Sequence, residues 1–243
     1  MTTEFTDLNL HPQLVQAVTE RGYTTPTPIQ AGVIPVMLTG KDILGQAQTG
    51  TGKTAAFSLP ILHNITPGLG YVQALVMAPT RELGLQVAEA MEEYGRLRNV
   101  SVLAVYGGTA YGPQIGALRR GVDVVVGTPG RLLDLLKSNK LDLSQVQTVV
   151  LDEADEMLSM GFIEDIEAIL QATPAERQTA LFSATLPRQI RQLADNYMNN
   201  PEAITIERSQ RTVEAIEQRA YLVNEQDKLA ALTRLFEVEP ITS

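Results

Sequence analysis

The 243-residue sequence contains no cysteine and only two histidines, His11 and His63. Disulfides and thiolate metal sites are therefore excluded. Two histidines without visible partners make neither a zinc site nor a Ser-His-Asp hydrolase centre. No apolar run approaches the roughly 18 residues needed to cross a bilayer, and no basic segment leads into an apolar stretch at the N-terminus. These absences make the cytoplasm the expected location and give no membrane partner. Basic residues are also in deficit, 19 Lys and Arg against 28 Asp and Glu, for a net charge of −9. Overall charge cannot hold nucleic acid here, although a local groove of Lys, Arg and backbone N–H groups is compatible with an acidic domain.

What the chain does have is a glycine-rich loop, Ala47-Gln48-Thr49-Gly50-Thr51-Gly52-Lys53-Thr54. Gly50 and Gly52 let the backbone curl into a nest of N–H groups aimed at phosphate oxygens, and the helix expected to follow adds its positive N-terminal end. Lys53 supplies a point charge for the β and γ phosphates, and the Thr54 hydroxyl a ligand for Mg²⁺. Ile43 to Gln46 reads as a short strand before the loop and Thr54 to Leu59 opens a helical pattern after it. That strand, loop, helix order is what phosphate binding requires. Ala47 stands where the general fingerprint has glycine, a departure that leaves Gly52-Lys53-Thr54 intact.

Downstream, Val149-Val150-Leu151 runs into Asp152-Glu153-Ala154-Asp155. An acid that follows aliphatic residues is expected at the C-terminal end of a buried parallel strand, where open α/β sheets gather ligands. Asp152 would hold Mg²⁺, through water, and Glu153 would orient or deprotonate the water that attacks the γ phosphate. Taken alone, the same acids suit the solvated first turn of a helix. With the loop they define a nucleotide triphosphatase core.

Strand patterns at 43–46, 74–77, 102–106, 122–126, 148–151, 179–182 and 203–206 alternate with helical ones. The expected fold is α/β, a doubly wound, mostly parallel RecA-like P-loop sheet with helices on both faces. It would occupy residues 1–207. The polar stretch 208–217 reads as a linker, and 218–243 as the start of a second domain, with Ala220 to Val223 a strand and Lys228 to Phe236 an amphipathic helix. One strand and one helix cannot bury a core, so the chain is expected to be a fragment.

The motifs together resemble the N-terminal half of DEAD-box RNA helicases. Gly22-Tyr23-Thr24-Thr25-Pro26-Thr27-Pro28-Ile29-Gln30, the 47–54 loop, Pro79-Thr80-Arg81-Glu82-Leu83, Gly107-Gly108, Thr128-Pro129-Gly130-Arg131, Asp152-Glu153-Ala154-Asp155 and Ser183-Ala184-Thr185 occur in that family's order. The resemblance covers residues 5–206, and the tail from Gln218 resembles the opening of the family's second RecA-like domain. It implies RNA-stimulated ATP hydrolysis coupled to local duplex unwinding, with ATP and Mg²⁺ as cofactors and RNA and the second domain as partners.

It also implies that Gln30 reads the adenine edge, with Tyr23, Thr25 and the upstream Phe5 beside the base. The residues themselves allow a rival. Thr27-Pro28-Ile29-Gln30 is a helix start with Thr27 at the N-cap, Pro28 at N1 and Gln30 closing a capping box. By the same resemblance Pro79, Thr80, Arg81, Gly107, Gly108, Thr128, Pro129, Gly130 and Arg131 contact RNA. Helix N-termini, glycine turns, hydroxyls and two arginines suit phosphate and sugar rather than base edges, with the 2′-OH distinguishing RNA from DNA. Ordinary capped strand-to-helix turns would look the same. Ser183 and Thr185 could bond Asp155 and couple hydrolysis to unwinding. A nucleotide-gated RNA clamp and a different P-loop ATPase are the competing readings. Gly84 occupies a helical position where the family often has alanine.

Overall fold

The structure, a computed structural model, describes residues 4–206 and 221–238. The chain divides into two compact units between Glu207 and Arg208.

In the first unit seven strands form one sheet: β1 (Ile43–Gln46), β2 (Ala74–Met77), β3 (Val102–Val105), β4 (Val124–Gly127), β5 (Thr148–Leu151), β6 (Gln178–Ser183) and β7 (Glu202–Thr205). Their spatial order is β3-β4-β2-β5-β6-β1-β7, and every pairing is parallel. Parallel neighbours need crossovers, and helices supply them. They are α1 (Pro12–Glu20), α2 (Pro28–Leu38), α3 (Lys53–Asn64), α4 (Arg81–Gly95), α5 (Tyr111–Arg120), α6 (Pro129–Lys137), α7 (Ala154–Ser159), α8 (Ile163–Gln171) and α9 (Arg188–Tyr197).

Two apolar cores result, one on each face of the sheet. Residues of α1 to α4 such as Leu14, Ile34, Phe57 and Met91 pack on one side, and residues of α6 to α9 such as Leu132, Met157, Ile169 and Ile190 on the other. The central strands β2, β4, β5 and β6 are buried at every position, which is why Ala74 to Met77 and Val124 to Val126 read as continuous apolar runs.

Helices α2 and α3 run through Pro35 and Pro60. An interior proline normally costs about 3 kcal/mol. Here the two helices pack against each other and bury most of their residues, and that burial outweighs the local penalty. Arg98 ends α3 by donating to the carbonyls of Leu62, His63 and Ile65.

The second unit contains a short 3₁₀ turn, Glu225–Asp227, and α10 (Lys228–Val238), with Leu229, Leu232 and Phe236 exposed. The expected strand at 220–223 is not formed at Tyr221 to Val223, since an isolated strand has no ladder to join. Ala220 and the proposed linker at 208–217 lie outside the described residues.

Candidate functional site

In a parallel sheet all strands point the same way, so their C-terminal ends share one rim. Along it, in spatial order, lie Gly107-Gly108 after β3, Thr128 to Arg131 after β4, Pro79 to Arg81 after β2, Asp152 to Asp155 after β5, Ser183 to Thr185 after β6 and the 47–54 loop after β1. The acid cluster and the glycine loop are thus separated by one strand, β6, and the serine–threonine segment sits between them.

The loop leaves β1 with Ala47 N–H bonded to Ser183 O and enters α3 at Lys53. Gly50 and Gly52 have φ of +82° and +94°, values that side chains oppose and glycine accepts. Lys53 is buried, 6 % exposed, and its Nζ donates to Ala47 O at 3.2 Å. The side chain is thereby folded back against the start of the loop. Thr51 Oγ1 closes a turn on Gln48 O, and Thr54 is half-buried in the first turn of α3.

Gln30 touches this loop directly. Its Oε1 accepts from Thr27 N–H at 2.9 Å, closing the α2 N-terminus, and its Nε2 donates to Gly52 O at 3.1 Å. A Cβ on Gly52 would lie 2.6 Å from Gln30 Nε2, so glycine there is also a condition of that contact. Gln30 is 7 % exposed, and capping does not exhaust its amide, which has a second N–H and a second lone pair. Tyr23 and Thr25 are exposed. Phe5 is not available to a base: it is 2 % exposed within the core beside α2, with its N–H bonded to Thr24 O. Its ring gains more from apolar burial than from a solvent-facing position, which corrects the expectation that it packs on a nucleotide.

Asp152 is 2 % exposed, and its Oδ1 has no hydrogen-bond partner. Burial pushes its pKa up from 3.8 to about 6; Lys53 opposes the shift and Glu153 adds to it. An orphaned buried carboxylate oxygen beside a phosphate-type loop fits a hard divalent cation that keeps most of its water. Among the described residues there is no cluster of three or more His, Cys, Asp or Glu for a metal, so any cation here would rely on phosphate and water for its remaining ligands. Glu153 adopts φ 54° and ψ 52°, a left-handed conformation that a non-glycine residue holds only where its surroundings impose it. Its carboxylate accepts from Thr49 Oγ1 at 3.1 Å, joining the acid cluster to the loop.

Asp155 Oδ2 accepts from the N–H and the hydroxyl of Thr185 at 2.9 and 2.8 Å, and Asp155 N–H donates to Ser183 Oγ at 3.2 Å. Burial pushes the Asp155 carboxyl up, but hydrogen bonds from Thr185, Ser183 and Ala184 together hold it below the usual range.

On the other half of the rim the two arginines differ. Arg81 is exposed and its guanidinium lies over the Tyr106 ring, 4.8 Å from the centroid. Arg131 is 7 % exposed, donating to Gln114 Oε1 at 3.1 Å and Thr109 O at 2.9 Å beneath the Tyr111 ring at 3.9 Å. A guanidinium so committed is not a free phosphate ligand, which corrects the expectation for Arg131. It ties the 128–131 loop to the 107–109 turn. Thr80 accepts from Leu83 N–H as the α4 cap, Pro79 and Pro129 are buried, and Gly107 and Gly108 are exposed, with Thr128 and Gly130 half-buried. Sequence reading missed Gln114, because a glutamine in a helix gives no sign of a partner 17 residues on.

The fold and loop define a RecA-like P-loop domain. Residues 27–193 match the model of the DEAD/DEAH box helicase family, and the chain belongs to that family. It is 53% identical over 238 residues to the ATP-dependent RNA helicase DeaD of Klebsiella pneumoniae, covering 98% of this chain and 37% of that protein. It is 50% identical over 237 residues to the DEAD-box ATP-dependent RNA helicase CshA of Geobacillus kaustophilus (strain HTA426), covering 98% of this chain and 51% of that protein. A crystal structure of a DEAD box protein from the hyperthermophile Methanococcus jannaschii superimposes with TM-score 0.81 at 40% identity, over 96% of this chain and 63% of that one. The chain therefore spans between about a third and a half of these curated relatives' length.

Proposed function

We propose that this chain is the ATP- and RNA-binding N-terminal half of an ATP-dependent RNA helicase. The observation that carries the reading is the single rim on which a phosphate-type loop, an acid cluster and three glycine- or cap-rich turns stand in order. Membership of the DEAD/DEAH box helicase family supports it.

In this reading the N–H groups around Gly50 and Gly52 and the Lys53 ammonium receive the β and γ phosphates, and Gln30 presents the outer edge of its amide to adenine beside Tyr23 and Thr25. Gln48, Thr49 and Thr51 complete the loop. Thr54 and Asp152 would hold Mg²⁺ through water, and the cation, when bound, neutralises charge on the phosphates. Glu153 orients the attacking water and takes its proton. The Asp155–Thr185–Ser183 bonds link the acid cluster to β6 and so to the coupling of hydrolysis and unwinding.

RNA would lie along the 79–81, 107–108 and 128–130 turns, held by sugar and phosphate. Residues 208–217 would link to a second RecA-like domain that opens at 218, and closure of the two domains would form the active state. The protein would work in the cytoplasm. An arginine that neutralises the transferring phosphoryl group is worth about 10³–10⁵ in rate, and the motifs place none in the first domain.

The test is ATPase activity with and without RNA, for residues 1–243 and for a chain with a complete second domain. Slow turnover by the first and RNA-stimulated turnover by the second are expected. Robust RNA-stimulated turnover by residues 1–243 alone would mean the catalytic set is complete within it, and stimulation by DNA alone would replace RNA as the partner.

A further inference from the structure

Arg81 is a cation on the rim with no hydrogen bond or ion pair among the described residues; its ordering contact is the face of Tyr106. Arginine carries large rotamer freedom, so a solvent-exposed guanidinium is normally spread over many positions. A ring whose centroid lies 4.8 Å from its carbon holds the guanidinium on one side of Tyr106 and so narrows that freedom. Tyr106 is itself fixed. It follows β3 directly, and its carbonyl accepts from Gln114 Nε2 at 3.1 Å and Thr109 Oγ1 at 3.4 Å. Gln114 in turn receives Arg131 Nη1, and Arg131 Nη2 reaches Thr109 O. One arginine is thus spent inside the molecule to hold the platform on which the other lies.

Resting on the RNA reading above, we infer that Tyr106 is a positioning residue for nucleic-acid binding, acting by holding the Arg81 guanidinium over its ring, at a fixed place on the rim where it can meet a backbone phosphate. The ring contributes through its face rather than its hydroxyl. Tyr106→Phe therefore preserves the function, while Tyr106→Leu loses it although the Arg81 charge remains.

The experiment is fluorescence anisotropy of residues 1–243 with a labelled single-stranded RNA across a salt series. Arg81→Ala should weaken binding and flatten the log–log salt slope by about 0.7, the value of one single-strand phosphate contact. Tyr106→Leu should bring affinity to within about twofold of Arg81→Ala, Tyr106→Phe should match the wild type, and Arg81→Ala with Tyr106→Leu should lose no more than Arg81→Ala alone. Additive losses in the double variant, an unaffected Tyr106→Leu protein, or a Tyr106→Phe loss equal to that of Tyr106→Leu each overturn the proposal. The stack is read without RNA from the ring-current shift on the Arg81 side-chain resonances, which Tyr106→Leu should abolish and Tyr106→Phe retain; its absence in the wild type also overturns it. A wild-type chain that shows the shift and binds no RNA, alone or with a complete second domain, overturns the RNA reading instead, so the two failures are distinct.

Discussion

Lys53 Nζ and Asp152 Oδ1 face one another at 3.8 Å, with side chains 6% and 3% exposed, yet they do not hydrogen-bond. The ammonium gives one of its three N–H groups to Ala47 O, and the carboxylate oxygen is left without a donor. Burial therefore governs Asp152 more than its counter-charge does, and the carboxyl titrates near 6 instead of 3.8. The pair is set to receive something that neither residue alone satisfies.

This arrangement has a pH signature with a definite sign. A carboxyl whose pKa is raised on folding favours the folded state fully below its ordinary 3.8 and loses that contribution as pH rises through about 6. Asp152→Asn should therefore stabilise the protein at neutral pH, by on the order of 1–3 kcal/mol, with little effect near pH 4. Asp155, held low by its hydrogen bonds, has the opposite sign: its contribution is present above the ordinary carboxylate range and lost as pH falls through the depressed value. Denaturant unfolding of the two Asn variants from pH 2 to 7 checks both slopes, and an Asp152→Asn protein no more stable than wild type at pH 7 would contradict the first.

Removing Lys53 should act on ligand binding above all. Lys53→Ala is expected to lower affinity for ATP with Mg²⁺ by about 10- to 100-fold, from the roughly 1.5–3 kcal/mol of a hydrogen bond to a charged group. Titration calorimetry measures it directly. Unchanged affinity would remove Lys53 from the phosphate site.

At Gln30 two roles can be separated by one atom. Gln30→Glu keeps an acceptor for Thr27 N–H but puts a carboxylate oxygen against Gly52 O, where the amide now donates. It should lose the preference for ATP over GTP while the α2 cap survives. Gln30→Ala should lose both the preference and about 1 kcal/mol of stability. Equal binding of ATP and GTP by the wild type would leave only the cap.

The two arginines of the other half-rim should respond unequally in stability measurements. Arg131→Lys removes a buried fork that serves Gln114, Thr109 and the Tyr111 face, and should cost about 1–3 kcal/mol. Arg81→Ala, on an exposed side chain, should stay within about 0.5 kcal/mol of wild type. Comparable losses for the two would contradict the inward and outward assignment.

Two glycines make a further contrast. Gly84 lies within α4 and an added Cβ would meet nothing within 4 Å, so Gly84→Ala should stabilise by up to about 1 kcal/mol. Gly45 pairs with Phe182 in the sheet, and a Cβ there would lie 2.5 Å from that ring, which already packs on Phe57. Gly45→Ala should cost about 1–3 kcal/mol by overpacking. Thermal melts of the two proteins suffice, and a destabilised Gly84→Ala would mean that the helix uses the missing side chain.

The sheet was legible in the sequence because its strands are buried on both faces. Val124 to Val126 and Val149 to Leu151 are then apolar at every position, and such runs between helical patterns point to a parallel sheet with crossovers. The glycine loop was legible for a similar reason, since φ values of +82° and +94° leave few choices but glycine. Backbone constraints of this kind act locally and leave their mark at fixed spacing.

Side-chain commitments over long separations leave none. Nothing local in Thr128-Pro129-Gly130-Arg131 distinguishes an arginine that faces solvent from one that turns inward to Gln114, and Arg81 in its own turn looks the same. Phe5 likewise reads as an isolated aromatic until α2 is seen to cover it. The sequence by itself determined which loops reach the rim, because hydrophobic period and glycine placement dictate strands and turns. Only the tertiary structure decided which side chains on those loops are free to meet a ligand, because burial and hydrogen-bond competition depend on neighbours that the chain brings together from far apart.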